Sequence, residues 1–195
     1  LLKIVLFRSL GDPIHFNISY RSFVTITYAH FEAYCKQSVG YYVDFIIRSE
    51  DIYACKAKMI ETIAAPYIRR TLSTVSNADL CNLMMQGTAG LPAPTSRGHS
   101  YVENISNINI SNFFLLLDLA GIESVNFIHH KSVISRLATL RHECAHGEEN
   151  IFDRSKTQGD LADDVYKIQA EIITVMHKLG VEMIDGIESK SYLQR

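Results

Sequence analysis

The sequence predicts an all-α fold, a bundle of about five or six helices with one long loop containing Gly, Pro and Ser. Three observations carry this. Two long segments repeat apolar residues at a 4,3 spacing, the period of a helix face packed against other helices. No segment sustains the every-second-residue alternation that builds a sheet, and no internal repeat divides the chain. At 195 residues the chain is expected to form a single helical domain, residues 1–195, with its core between about 20 and 186 and a loop at 86–110.

In chain order, Gly11-Asp12-Pro13 breaks a short apolar opening segment, and Asn17 or Ser19 is expected to cap the first long helix. There Val24, Tyr28, Phe31, Cys35, Ser38, Tyr42 and Phe45 make one mostly apolar stripe of about six turns. Glu32 and Lys36 lie off it, in the order that favours a solvated surface pair. From Asp51 to about Met85 one or two helices are expected, broken at Ala65-Pro66 because proline disfavours helical geometry in its predecessor. Lys56, Lys58, Arg69 and Arg70 make this stretch basic. Gly87, Gly90, Pro92, Pro94, Ser96 and Gly98 mark the loop, and Asn104 to Ser111 reads as a short extended piece. Ser111 is expected to cap a helix from Asn112 to Ala120 that Gly121 ends. The last helix is the most regular. Asp160 is its expected N-cap; Leu161, Val165, Ile168, Ile172, Val175, Leu179 and Met183 follow along one face, with Gly180 expected to shorten it.

Composition bounds the function. With 47% hydrophobic and 21% charged residues the chain is neither disordered nor fibrous. A net charge of −2 provides no global basic field, so any contact with nucleic acid must come from a local patch. Cys35, Cys55, Cys81 and Cys144 stand alone, without a C-x-x-C pair, which argues against a disulfide scaffold or a Cys-based zinc module and for a reducing cytoplasm. No run approaches the roughly 18 apolar residues needed to cross a membrane, and the longest, Phe113 to Ala120, contains Asp118. The segment Leu1 to Phe7 lacks the basic leader and small-residue cleavage site of a signal peptide.

The chemistry concentrates in Arg136-Leu137-Ala138-Thr139-Leu140-Arg141-His142-Glu143-Cys144-Ala145-His146-Gly147. On a helix Val133, Leu137, Leu140 and Cys144 fall within about 60° and define a buried stripe. Arg141 then lies off the stripe, while His142 and His146 face outward, about 40° apart. Phe127 to His142 contains no acid but carries His129, His130, Lys131, Arg136, Arg141 and His142, a local basic patch of the kind an RNA phosphate would seek. Gly147 marks the expected end of the helix.

Two chemistries can be read here. His142-Glu143-Cys144-Ala145-His146 fits the H-E-x-x-H pattern of a zinc peptidase helix, with both His as ligands and Glu143 as general base. Against this, Arg141 precedes the motif and Gly147-Glu148 follows it. Glu149 and Phe152 stand where the metzincin extension needs Gly and His, which leaves Glu171 as the best third ligand. Alternatively, Arg141 and His146 form an Arg/His pair suited to metal-free phosphodiester cleavage.

The second reading extends over more of the chain. Leu140-Arg141-His142-Glu143-Cys144-Ala145-His146-Gly147-Glu148 resembles the Arg-polar…Ala-His-Gly signature of HEPN-domain ribonucleases. Tyr28-Ala29-His30-Phe31-Glu32-Ala33-Tyr34-Cys35-Lys36 is similar to a segment in the first long helix of the MAE-type branch of that superfamily, and Ser111 to Ile122 to the short helix before the motif. Ala33 stands where Gly is common, and His142 where Asn or Asp is usual.

The resemblance implies a metal-independent endoribonuclease that needs no cofactor and acts on RNA as a homodimer, a toxin–antitoxin or antiviral defence effector with a possible antitoxin or defence-system partner. In it His146 would be general base or acid for attack by the 2′-hydroxyl. Arg141 would hold the phosphate, and His142 would add a donor or proton carrier. Glu32 and Lys36 would orient His146 or bind phosphate, with Glu143, Lys131 and Arg136 as further supporting or RNA-binding candidates. Arg141 and His146 are about 140° apart on an ideal helix, so a cleft between two subunits would bring them together. A non-catalytic HEPN binding module is the competing class.

Overall fold

The computed structural model describes residues 6–65, 75–76, 79, 98–146 and 156–194. Helix α1 (Pro13–Ser49) begins at the break the sequence marks. Asp12, not Asn17 or Ser19, caps it: its Oδ1 accepts from the backbone N–H of Ile14 and of His15, each at 3.0 Å. Pro13 takes the first helical position, where a missing N–H costs nothing.

The buried residues of α1 follow the helix rather than a strict heptad. Val24, Tyr28, Phe31, Cys35, Val39, Tyr42 and Ile46 are buried, whereas Ser38 is half-buried and Phe45 is 41% exposed. A 4,3 repeat averages 3.5 residues and drifts about 20° per heptad from a straight helix, so beyond Cys35 the core side moves onto Val39 and Val43. Glu32 and Lys36 are both half-buried.

After α1 come a 3₁₀ turn (Ile52–Ala54), capped by Asp51, and a turn of α-helix (Ala57–Met59) that widens into a π-turn (Ile60–Ala64). Helix α2 (Gly98–Glu103) occupies part of the stretch expected to be loop. The rest of that loop at 86–97, the Pro66 break, Arg69, Arg70, Cys81 and the Gly147 stop lie outside the described residues. No strand forms among the described residues; Asn104 to Asn109 is irregular, and Cys55 and Leu193 make an isolated antiparallel bridge.

Helix α3 (Ile110–Ala120) starts before Ser111, because Asn109 Oδ1 accepts from the Asn112 N–H at 2.9 Å. Gly121 ends it as expected, at φ +65°. The Ile122 N–H donates to the Leu117 carbonyl and the Gly121 N–H to that of Asp118, the paired bonds of a Schellman motif. A 3₁₀ segment (Ser124–His130) leads into α4 (Lys131–His146). Helix α5 (Gln158–Ser189) opens on a reciprocal cap. Thr157 Oγ1 accepts from the Asp160 N–H at 3.2 Å while Asp160 Oδ2 accepts from the Thr157 N–H at 3.0 Å, so Thr157 is the cap and Asp160 its partner. The seven apolar residues expected along α5 are all buried. Gly180 does not shorten it; the cost of an internal glycine, about 1 kcal/mol, is outweighed by burial on either side of it.

Two compact units share these elements. The first takes Leu1–Cys35, Asn107–Asn112 and Val125–Leu179; the second Lys36–Ser106, Phe113–Ser124 and Gly180–Arg195. In the first, Phe23 and Phe31 of α1, Phe127, Leu137 of α4 and Val175 of α5 are buried, each worth roughly 1.5–3 kcal/mol. In the second, the chain end is tied down: the Lys56 N–H donates to the Tyr192 carbonyl at 2.8 Å and the Gln194 N–H to that of Ala54 at 2.9 Å. A side chain at Gly121 would meet Met59 Sδ at 2.7 Å, so glycine serves both the turn and the packing there. No helix among the described residues is long and apolar enough to cross a membrane.

Candidate active site

Helix α4 is anchored at its start by Lys178 of α5, whose Nζ donates to the Asn126 carbonyl at 2.5 Å and lies 5.4 Å from the centre of the Phe127 ring. Its buried face is Val133, Ile134, Leu137 and Cys144, with Leu140 only half-buried. Ile134 widens the stripe on the side of Arg141, which follows it by seven residues and so projects within about 20° of it. Arg141 is accordingly half-buried, not off the stripe as the four expected positions imply. Its guanidinium carbon lies over the ring of Tyr28 on α1, 5.3 Å from the centroid.

Tyr28 is itself 3% exposed. Its hydroxyl is hydrogen-bonded to the Glu32 carboxylate one turn along and to the Ile108 backbone. Burial first, then the Glu32 charge, push the phenol up to about 12, against a smaller opposing pull from Arg141. Glu32 thus reaches the arginine through Tyr28, and Lys36 follows one turn further on the same helix.

His142 and His146 are exposed, as the helix arithmetic predicts. Their rings lie side by side, centroids 4.2 Å apart at an interplanar angle of 54°. Glu143 between them is half-buried. The last turn is held by Arg21 of α1, whose Nη1 donates to the Cys144 carbonyl at 3.2 Å and whose Nε donates to Asn17 Oδ1 at 2.6 Å. Burial pushes the Cys144 thiol up, and Arg21 partly opposes this.

The remaining basic residues of this stretch each have their own surroundings. Lys131 sits at the start of α4, about 22 Å along the axis from His146. Arg136 lies 3.5 Å from Asp164 of α5, a carboxylate that also pairs with Lys156. His130 lies 6.5 Å, centroid to centroid, from Phe127. At the end of α4 the structure pairs His142 with His146 and, on another side of the helix, sets Arg141 against Tyr28 of α1.

Sequence reasoning missed Arg21 and the part played by Tyr28. Their signal is the seven-residue spacing that puts both on one face of α1, with Asn17 and Glu32 each one turn from its partner. Among the described residues no group of three His, Cys, Asp or Glu gathers to hold a metal ion, and Glu171 is exposed on α5. The arrangement can move a proton through an exposed imidazole and bind an anion through a half-buried guanidinium.

The family described as HEPN_MAE_28990-like HEPN has a model that matches residues 2–192. The chain belongs to this HEPN family. No curated protein and no solved structure matches it. The matched span includes residues 28–36, which lie on α1, and residues 141–146, which lie on the last turns of α4.

Proposed function

We propose that this HEPN protein is a metal-independent endoribonuclease. The observation that carries the reading is the composition of the last turns of α4: two exposed imidazoles, side by side, and a half-buried guanidinium. In the proposed reaction His146 takes the proton of an RNA 2′-hydroxyl as its oxygen attacks the adjacent phosphorus. The bond from phosphorus to the 5′-oxygen breaks, and that oxygen receives a proton from an imidazolium, His142 being the nearest. The products are a 2′,3′-cyclic phosphate and a 5′-hydroxyl. Arg141 stabilises the charge that builds on the phosphate oxygens.

Arg141 and His146 project about 140° apart from one helix, so the reading includes a homodimer in which the two copies of α4 complete each other's site. It also includes a role as a cytoplasmic toxin–antitoxin or antiviral defence effector, which predicts that expression arrests growth and that His146→Ala abolishes the arrest.

The test is RNA cleavage by the wild type, Arg141→Ala and His146→Ala, each with and without a chelator. Chelator-insensitive cleavage lost in both variants is the expected result, and full activity in His146→Ala overturns it. RNA bound but not cut would identify a binding module. Chelator-sensitive peptide hydrolysis lost in Glu143→Ala would identify a zinc peptidase.

A further inference from the structure

Arginine has five N–H donors, all in the plane of its guanidinium, and a phosphate is gripped through that edge. An arginine on a helix surface has four rotatable side-chain bonds, and holding it in one pose costs rotamer entropy that each turnover must meet unless the fold has already met it. Arg141 is half-buried and lies over the face of Tyr28 at 5.3 Å. A guanidinium held through its face keeps its donor edge available to a phosphate. Tyr28 is a suitable base for it: the ring is buried, and the hydroxyl at its far end is hydrogen-bonded to Glu32 and to the Ile108 backbone. Both ends of the ring are therefore fixed, one by the helix backbone and one by the hydroxyl.

We infer that Tyr28 is a positioning residue, its ring holding the Arg141 guanidinium so that the N–H edge is presented to the phosphate being cut. The inference rests on the end of α4 being the active site. It assigns Tyr28 no contact with substrate. Glu32 acts one step further back, by orienting the Tyr28 ring.

The test reads the full chain in two ways. In an NMR spectrum the Arg141 Nε–H signal, assigned by its loss in Arg141→Lys, is expected upfield of ordinary arginines because of the ring current of Tyr28. It should persist there in Tyr28→Phe and return to the ordinary range in Tyr28→Leu. In cleavage of a short RNA, Tyr28→Leu is expected to lower kcat roughly five- to thirtyfold, the range of a cation–π contact, with KM within about twofold. Tyr28→Phe should retain most of kcat, and adding Tyr28→Leu to Arg141→Ala should lower the residual rate no further. An unshifted Arg141 signal in the wild type, or an equal loss from Tyr28→Leu with and without Arg141, overturns the inference. A wild type that cuts no RNA refutes the ribonuclease reading, and the Arg141 signal alone then decides whether Tyr28 holds it.

Discussion

The guanidinium of Arg21 reaches from α1 to the carbonyl of Cys144, 3.2 Å away, in the last turn of the helix that carries His146. The last four carbonyls of a helix have no partner within it, and here a side chain from another helix supplies one. The candidate catalytic residues Arg141, His142 and His146 thus stand on a helix end that the first helix fastens.

Removing that fastening has a measurable cost. Arg21→Ala is expected to lower stability by about 1–2 kcal/mol, the range of a hydrogen bond from a charged donor reduced for partial exposure, seen as a fall in Tm. Arg21→Lys, with one donor group in place of a planar fork, should fall between the two. An Arg21→Ala chain as stable as the wild type would mean that the bond contributes nothing.

If the site is shared between two copies, two dead chains make a live one. Arg141→Ala and His146→Ala, mixed and allowed to exchange, are expected to recover RNA cleavage to roughly a quarter of the wild-type rate, because half of the mixed dimers' sites are intact and half the dimers are mixed. Each variant alone should be at least 100-fold down, as for loss of a proton-transfer or charge-stabilising group. Mixing without recovery would place both residues in one chain's site.

In the second unit, Gly186 lies where any Cβ would collide with the Tyr42 hydroxyl. Gly186→Ala is expected to destabilise by about 1–2 kcal/mol net, the strain of overpacking exceeding the gain in helix propensity. In a Tyr42→Phe background the obstructing oxygen is gone and the same substitution should become neutral or favourable. Additive effects in a denaturation cycle would contradict this.

Acid should unfold the chain through carboxylates that the fold keeps charged. Hydrogen bonds from Thr157 hold Asp160 below its ordinary value of 3.8, the bond from Lys156 does the same for Asp164, and Lys190 holds Glu50 below 4.5. Each group binds a proton more readily unfolded than folded, so its contribution is complete above the unfolded value and is lost as pH falls through it to the folded one. Tm is expected to be level down to about pH 5 and to fall below it. Lys190→Met should make that fall shallower.

Asp118 on α3 carries the opposite sign. Burial, with the Glu61 and Glu123 charges, raises its pKa against the pull of Lys58. At neutral pH it is therefore charged at a cost to the folded state, and Asp118→Asn is expected to raise Tm at pH 7 but not at pH 3, where both states are protonated.

What could be read in advance was what a single helix encodes alone. The α5 stripe, the Gly121 stop and the outward pair His142 and His146 depend only on spacing along one element, and the structure has them as expected. The misplaced caps have a local cause too. Asn17, Ser19, Ser111 and Asp160 are all plausible cap residues, but Asp12 before Pro13, Asn109 and Thr157 lie nearby and their side chains win the first N–H groups. Phe45 was lost to the difference between a 3.5 and a 3.6 repeat. The face of Arg141 needed more than spacing. Whether Ile134 or Leu140 completes the α4 stripe is decided by what α1 and α5 put opposite it, and a one-dimensional pattern does not contain the neighbour.

Cys144 is 9% exposed at the end of the buried face of α4, and burial raises its thiol above the ordinary range. A thiol reacts with an alkylating reagent only as an accessible thiolate, so at neutral pH Cys144 is labelled when the end of α4 comes away from its neighbours. The chain thereby carries a clock. Labelling at Cys144 would follow the opening of the turn that bears His146, and an RNA that seats itself on that turn would slow the clock whether or not it is ever cut.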